Sequence, residues 1–216
     1  MGSSAREPLQ AITAQYDRVA RFYALMEPLF LIFPPARRKA VAALDLSPGA
    51  VVLEVGAGTG RNLPYLVDAV GPAGAVIAVD ASKGMLAEAQ KLVGRRKWSN
   101  VQLLREDAAK LRVDRELDGV LFSLSYSVLP EPAAALEHAW EKMRPGARVV
   151  VMDVGLTDTR FRQVLAPIAR LLTKLGPGDP YSRPWDDLRR YGSVRTERFL
   201  FGLYYLCVVV KSESGA

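Results

Sequence analysis

Three glycines at alternate positions, Gly56, Gly58 and Gly60, follow the β-branched run Val51–Val55, whose fourth residue is Glu54. A glycine after a buried strand accepts positive φ and lets a ligand approach the backbone with no Cβ in the way. The helix that follows offers unpaired N–H groups, and the carboxyl end of such a strand is where open α/β sheets bind ligands. The chemistry on offer is therefore recognition of a small polar molecule. A dinucleotide fingerprint, G-x-G-x-x-G, needs its third glycine where Arg61 stands, and no Gly-Lys-Ser/Thr follows to make a phosphate loop. Glu54 would repel a diphosphate at this place, whereas it suits the cationic amino group of an amino-acid-like ligand. Asp80 comes about 20 residues after the last glycine, at the end of the next strand-like run, where carboxylates hydrogen-bond ribose hydroxyls.

The elements that must position these residues read as alternating strands and helices between residues 50 and 155, the pattern of a parallel sheet with crossover helices. Strands are expected at Val51–Val55, 75–80, Val101–Leu104, Leu117–Ser123 and 148–154. Helices are expected at 61–70, 85–92 and 132–143, the last with Pro132 in its first turn, where a missing N–H costs nothing. Residues 195–201 and 204–211 read as a closing antiparallel hairpin around Gly202-Leu203. Two flanking stretches carry helical apolar stripes: Phe22, Leu25, Met26, Leu29, Phe30 and Phe33, with a kink at Pro28; and Phe161, Val164, Leu165, Ile168, Leu172 and Leu175, with a kink at Pro167.

Charge divides along the same lines. Residues 1–44 hold six basic and three acidic side chains, residues 156–216 ten and six, and the stretch between them thirteen and fourteen. The whole excess of +6 thus lies in the flanks. A basic rim beside an apolar stripe suits a helix lying on an anionic membrane, and it equally suits a solvated face or a dimer contact. The single cysteine, Cys207, excludes an internal disulfide and a cysteine-rich metal site. No basic-then-apolar leader opens the sequence, so a cytoplasmic protein is expected, with peripheral attachment to the inner face of the membrane.

The series Glu54-x-Gly56-x-Gly58-x-Gly60, Asp80 and Asp107-Ala108 resembles the motifs of class I S-adenosylmethionine-dependent methyltransferases. The resemblance implies a doubly wound, mostly parallel seven-stranded α/β sheet of Rossmann-like type. It implies a methyltransferase domain over 45–216 and an N-terminal helical lid over 1–44. By carry-over, Gly56, Gly58 and Gly60 line the methionine and ribose end of S-adenosylmethionine, and Glu54 and Asp80 bind its amino group and ribose. Asp107-Ala108 meets the adenine amino group, Met85 packs near the ring, and Ser123 faces the methionine part.

A closer resemblance rests on Tyr16-Asp17-x-x-Ala20-x-x-Tyr23, on Ser125-Tyr126-Ser127-Val128-Leu129-Pro130, and on the strand that ends Val-Met-Asp153. These are similar to the ubiquinone/menaquinone C-methyltransferases and to the bacterial phospholipid N-methyltransferases; Gly146-Ala147 departs from the usual Gly-Gly turn. The methyl acceptor is then a lipid or a small molecule, with a phosphatidylethanolamine-type headgroup as the leading expectation. Tyr16, Tyr23 and Tyr126 are the candidate acceptor-side residues, able to hold a methylated cation by cation–π attraction. Ser123-Leu124-Ser125-Tyr126 stands where nucleic-acid amino-methyltransferases carry Asn/Asp-Pro-Pro-aromatic, so no nucleic acid partner is expected. Carboxylates that would bind a catalytic metal are missing there as well, and no metal is expected. His138, the only histidine, lies off the apolar stripe of its helix and reads as a surface residue.

Overall fold

The computed structural model describes residues 8–26, 34–155, 178–179, 181–199, 202 and 204–212. The second flanking stripe with Pro167, and Pro28 to Phe33 of the first, lie outside the described residues. Two N-terminal helices, α1 (Leu9–Met26) and α2 (Pro34–Ala43), precede β1 (Val51–Val55). Then come α3 (Leu63–Val70), β2 (Ala75–Val79), α4 (Lys83–Arg96), β3 (Val101–Leu104), β4 (Leu117–Ser123), α5 (Pro132–Glu141) and β5 (Met143–Val154). A short α6 (Pro184–Leu188) leads to β6 (Arg195–Phe199) and β7 (Tyr204–Val210).

The seven strands form one sheet in the order β3-β2-β1-β4-β5-β7-β6, parallel from β3 to β5, with β7 antiparallel to both β5 and β6. The chain reverses its direction of travel between β1 and β4, which makes the carboxyl ends of those strands the topological switch point. β1 is buried at all five positions, as a strand covered on both faces must be. One face packs Leu53, Val55, Phe122, Leu136 and Tyr205; the other packs Val52, Leu63, Leu66, Leu121 and Val150.

Boundaries shift where local chemistry overrides periodicity. The helix expected from 85 begins at Lys83, because Ser82 caps it by accepting from the Met85 N–H at 3.1 Å. It runs on to Arg96 and ends on Lys97 in a left-handed conformation. β5 starts at Met143 and not at 148; Leu117 pairs with Met143 and Gly119 with Arg148, so the Arg144-Pro145-Gly146 turn is absorbed as an irregularity in the ladder.

α1 begins at Leu9 and its inward side is Ile12, Tyr16 and Ala20, at i, i+4 and i+8. Phe22, placed by periodicity in an apolar stripe, is 63% exposed. α2 is built into the core through Ala36, Ala40 and Val41, while α1 lies against α4.

Candidate active site at the switch point

A cleft opens at the carboxyl edge of the sheet, roofed by α1 and bounded by the loops after β1, β2 and β4. The turn after β1 is forced by sterics. Gly56 has φ +74°, and a Cβ there would sit 2.4 Å from Ser125 Cβ. That close approach seats the β4 loop, since Ser125 Oγ donates to the Val55 carbonyl at 2.6 Å. Gly58 has φ +55° and only open space where its Cβ would be, so this glycine keeps the cleft clear. Leu124, beside Ser125, is a non-glycine residue at φ +60°. Backbone strain of this kind collects at functional sites, and here it carries the chain from Ser123 over the cleft.

Asp80 ties the site together. One carboxylate oxygen accepts the Gly58 N–H at 2.7 Å and the other the Ser82 N–H at 2.8 Å. Each oxygen retains a lone pair, which suits a vicinal diol. Burial raises the pKa of Asp80, against those two hydrogen bonds, and Asp17 nearby raises it further. Met85, 2% exposed, and Ala108 line the same end of the cleft.

Four expected residues stand behind the lining or away from it. Glu54 is fully buried and its Oε1 accepts from Asn62 Nδ2 at 2.6 Å, so Asn62 and not Glu54 meets the cleft. Burial pushes the Glu54 carboxyl up to about 7, with Asn62 and Arg37 opposing. Gly60 packs under Leu63 and Ala89. The Asp107 carboxylate turns away to cap a short 3-10 turn, accepting from Ala109 N–H at 3.1 Å, while Glu106 and Ala108 face the cleft. Tyr126 is 1% exposed, packs edge-on against Phe122 and donates to Asp187 Oδ2 at 2.8 Å. Its size and amphipathic character made it a cage candidate; the apolar layer beneath the loop claims it instead.

Tyr16 and Tyr23 do meet the cleft, as an edge-to-face pair with ring centroids 6.1 Å apart. Burial, then Tyr23, Asp153 and Asp80, push the Tyr16 phenol far above its ordinary range, so it stays a neutral O–H. The helix that carries them is latched to the sheet. Asp17 Oδ1 accepts from Ser82 Oγ at 2.5 Å and from the Gly84 N–H at 2.7 Å, at the first turn of α4. Arg37 is a residue that composition alone did not flag. It is 7% exposed, lines the cleft and donates to Asn62 Oδ1 at 3.0 Å. The hint in the sequence was its place as the first of three consecutive cations, Arg37-Arg38-Lys39.

The cleft fits S-adenosylmethionine. Two buried hydroxyls lining it, Thr59 Oγ1 and Ser123 Oγ, have no hydrogen-bond partner among the described residues, and unmet buried polar atoms in a cleft point to a polar occupant. Asp80 suits the ribose, Met85 and Ala108 give an apolar slot for a base, and the Gly58 backbone leaves room between them.

A parallel sheet with one reversed strand, a glycine turn after β1 and an acid ending β2 define a Rossmann-like methyltransferase fold. Residues 52–146, the segment that holds the glycine turn, Asp80 and Asp107-Ala108, match the methyltransferase domain family. It is 28% identical over 130 residues to a demethylmenaquinone methyltransferase of Geobacillus, covering 59% of this chain and 56% of that protein. It is 32% identical over 120 residues to an arsenite methyltransferase of Halobacterium salinarum, covering 55% of this chain and 30% of that one. The chain thus spans well under two thirds of the length of these relatives. An S-adenosylmethionine-dependent methyltransferase from Aquifex aeolicus shares the fold at TM-score 0.63 and 21% identity, over 95% of this chain and 100% of its own. Another from Thermotoga maritima does so at TM-score 0.68 and 19% identity, over 93% and 100%. Among the described residues no helix is long and apolar enough to cross a membrane, and no cluster of side chains could hold a metal ion.

Proposed function

We propose that the chain transfers a methyl group from S-adenosylmethionine to the amine of a phosphatidylethanolamine-type headgroup at a membrane surface. The observation that carries this choice is the state of Tyr16. Its phenol lies in the cleft against Tyr23, and burial first, then Tyr23, Asp153 and Asp80, disfavour its ionised form. A quinol hydroxyl beside it would meet the same penalty, and ring methylation needs that hydroxyl ionised. An amine nucleophile gains from the same field. The ammonium first gives its proton to solvent water, the free amine then attacks the methyl carbon as the carbon–sulfur bond breaks, and the positive charge passes from sulfur to nitrogen.

When bound, S-adenosylmethionine supplies a methyl group on a sulfonium with a thioether as leaving group. The chain's own residues align the two partners and exclude water. Asp80, Met85 and Ala108 fix the nucleoside end, and Thr59 and Ser123 offer hydroxyls to the amino-acid end. Tyr16 and Tyr23 close over the nascent cation from α1, which serves as the lid. Attachment to a bilayer is supported by the outward side of α1, where exposed Phe22 lies beside exposed Arg18 and Arg21. An apolar wedge between cations matches an anionic interface.

The demethylmenaquinone methyltransferases among the relatives favour a second reading, C-methylation of a membrane quinol. Labelled cofactor presented with liposomes, with and without anionic lipid, separates the two. The amine reading expects label in mono-, di- or trimethylated phospholipid, and a faster rate with anionic lipid at low salt. Label confined to a quinol, or to a water-soluble amine without response to liposomes, refutes it.

A further inference from the structure

Below the lid, at the carboxyl end of β5, Asp153 is 3% exposed. Its Oδ2 accepts the Ser127 N–H at 2.9 Å and its Oδ1 the Val154 N–H at 2.8 Å. Ser127 sits in the loop whose Ser125, Val128 and Leu129 form one wall of the cleft, so Asp153 is anchored directly behind that wall, and its charge raises the pKa of the Tyr16 phenol. We infer that Asp153 is the specificity-determining residue of the acceptor end: a buried carboxylate that holds the 124–130 wall in place and makes the Tyr16–Tyr23 site select a cationic nitrogen over an uncharged isostere. The inference rests on the amine reading above and names the group that replaces Tyr126 in it.

Among the described residues no cation is hydrogen-bonded or ion-paired to Asp153; its oxygens are met by the backbone N–H groups of Ser127 and Val154 and by the Ser127 hydroxyl. These neutral donors fix its orientation and leave its charge uncancelled. In a poorly solvated setting that charge extends further than it would in water. The π faces of Tyr16 and Tyr23 add the same sign. A trimethylated ammonium offers no hydrogen-bond donor, so diffuse negative potential is the only polar recognition available to it.

Among the described residues the groups that act on Asp153 or feel its charge are Tyr16 on α1, Ser127 after β4, Tyr205 on β7 and Asp179 before α6; Tyr205 is its cross-strand partner in the sheet. The two tyrosines stay neutral, their phenols held above the ordinary value largely by burial. Burial also raises the Asp153 carboxyl to about 6, against its hydrogen bonds from Ser127 and Val154, with Asp179 adding to the rise. The cation preference should therefore be present above that value and fade as pH falls through it.

The test is equilibrium binding of choline against its uncharged carbon isostere, 3,3-dimethylbutan-1-ol, to the full chain saturated with S-adenosylhomocysteine. It requires no turnover, so it stands or falls apart from the identity of the methylated lipid. The wild type is expected to prefer choline by about tenfold. Asp153→Asn should bring that preference below about threefold with isostere affinity unchanged, and Asp153→Glu should largely restore it. Equal binding of the two probes by wild type, no choline binding, or an unaltered preference in Asp153→Asn overturns the inference. So does parallel loss of both probes, which would make Asp153 a structural support only. Should Asp153→Asn fail to fold, the Glu54→Gln protein titrated from pH 8 to pH 5 decides. A choline preference lost on acidification supports Asp153, and a flat profile overturns it.

Discussion

Replacing Gly56 and Gly58 separately by alanine should split the glycine turn into a structural half and a binding half. Both residues have left-handed φ, +74° and +55°, and alanine in that region costs about 1–2 kcal/mol. At Gly56 the added Cβ also lands 2.4 Å from Ser125 Cβ. Ser125 cannot yield freely, because its hydroxyl is bound to the Val55 carbonyl at 2.6 Å. Overpacking of this kind adds about 1–3 kcal/mol, so Gly56→Ala should lose about 2–5 kcal/mol of folding stability. At Gly58 the Cβ meets nothing within 4 Å, and the N–H that Asp80 accepts is retained in alanine. Gly58→Ala should therefore lose only about 1–2 kcal/mol of stability. Its methyl, however, projects into the space assigned to the cofactor, and S-adenosylmethionine affinity should drop by at least about tenfold, or 1.4 kcal/mol. Urea unfolding measures the first quantity and titration calorimetry the second. Equal destabilisation by the two variants, or undiminished affinity in Gly58→Ala, would show that the cofactor has been put in the wrong place.

Removing the Asp80 carboxylate as Asp80→Ala should weaken S-adenosylmethionine binding by about 1.5–3 kcal/mol, the range for hydrogen bonds to a charged group; calorimetry giving the wild-type dissociation constant would misplace the ribose. Asp17→Ala should release α1 from α4, seen as faster amide exchange in residues 9–26 and a higher acceptor KM. Although burial opposes it, the hydrogen bonds from Ser82 and Gly84 lower the Asp17 pKa, so the latch should hold at neutral pH and weaken as pH falls below the ordinary value of 3.8. Glu54 works in the other direction. Its folded pKa of about 7 lies above its ordinary 4.5, so the cofactor-free protein should lose stability as pH rises between those values, and Glu54→Gln should flatten that slope in pH-dependent urea melts. Leu124→Gly, which relieves a left-handed residue at φ +60°, should leave folding stability unchanged or raised while lowering turnover; a lower melting temperature would mean that the leucine packs more than it strains.

The sheet and the cofactor turn could be read from the sequence because both depend on local rules. Val51–Val55 is continuously apolar except for Glu54, and alternate glycines after a strand leave few geometries. What Glu54 does was not local. A carboxylate at a strand end looks like a ligand, and only the tertiary placement of Asn62 and Arg37 shows that it is relayed. Tyr126 failed as a cleft residue for a similar reason: the loop carries it down onto Phe122 and toward Asp187, a partner 61 residues away. On α1 the sequence marked Tyr16 but not its inward neighbours, because Ile12 and Ala20 make a weak stripe around a tyrosine, whereas Phe22 gives a strong apolar signal and points outward. Asp153 was visible only as the end of a strand motif. Its burial beneath the lid follows from the pairing of β5 with β7.

A single competition reaction tests the central claim most directly. Vesicles containing equal amounts of phosphatidylethanolamine and a demethylmenaquinol are incubated with the protein and S-adenosylmethionine, and the lipid extract is resolved by mass spectrometry. Mass increments of one to three methyl groups on phosphatidylethanolamine, with the quinol unchanged, are the expected result. A methylated quinol beside unmodified phosphatidylethanolamine would contradict the account.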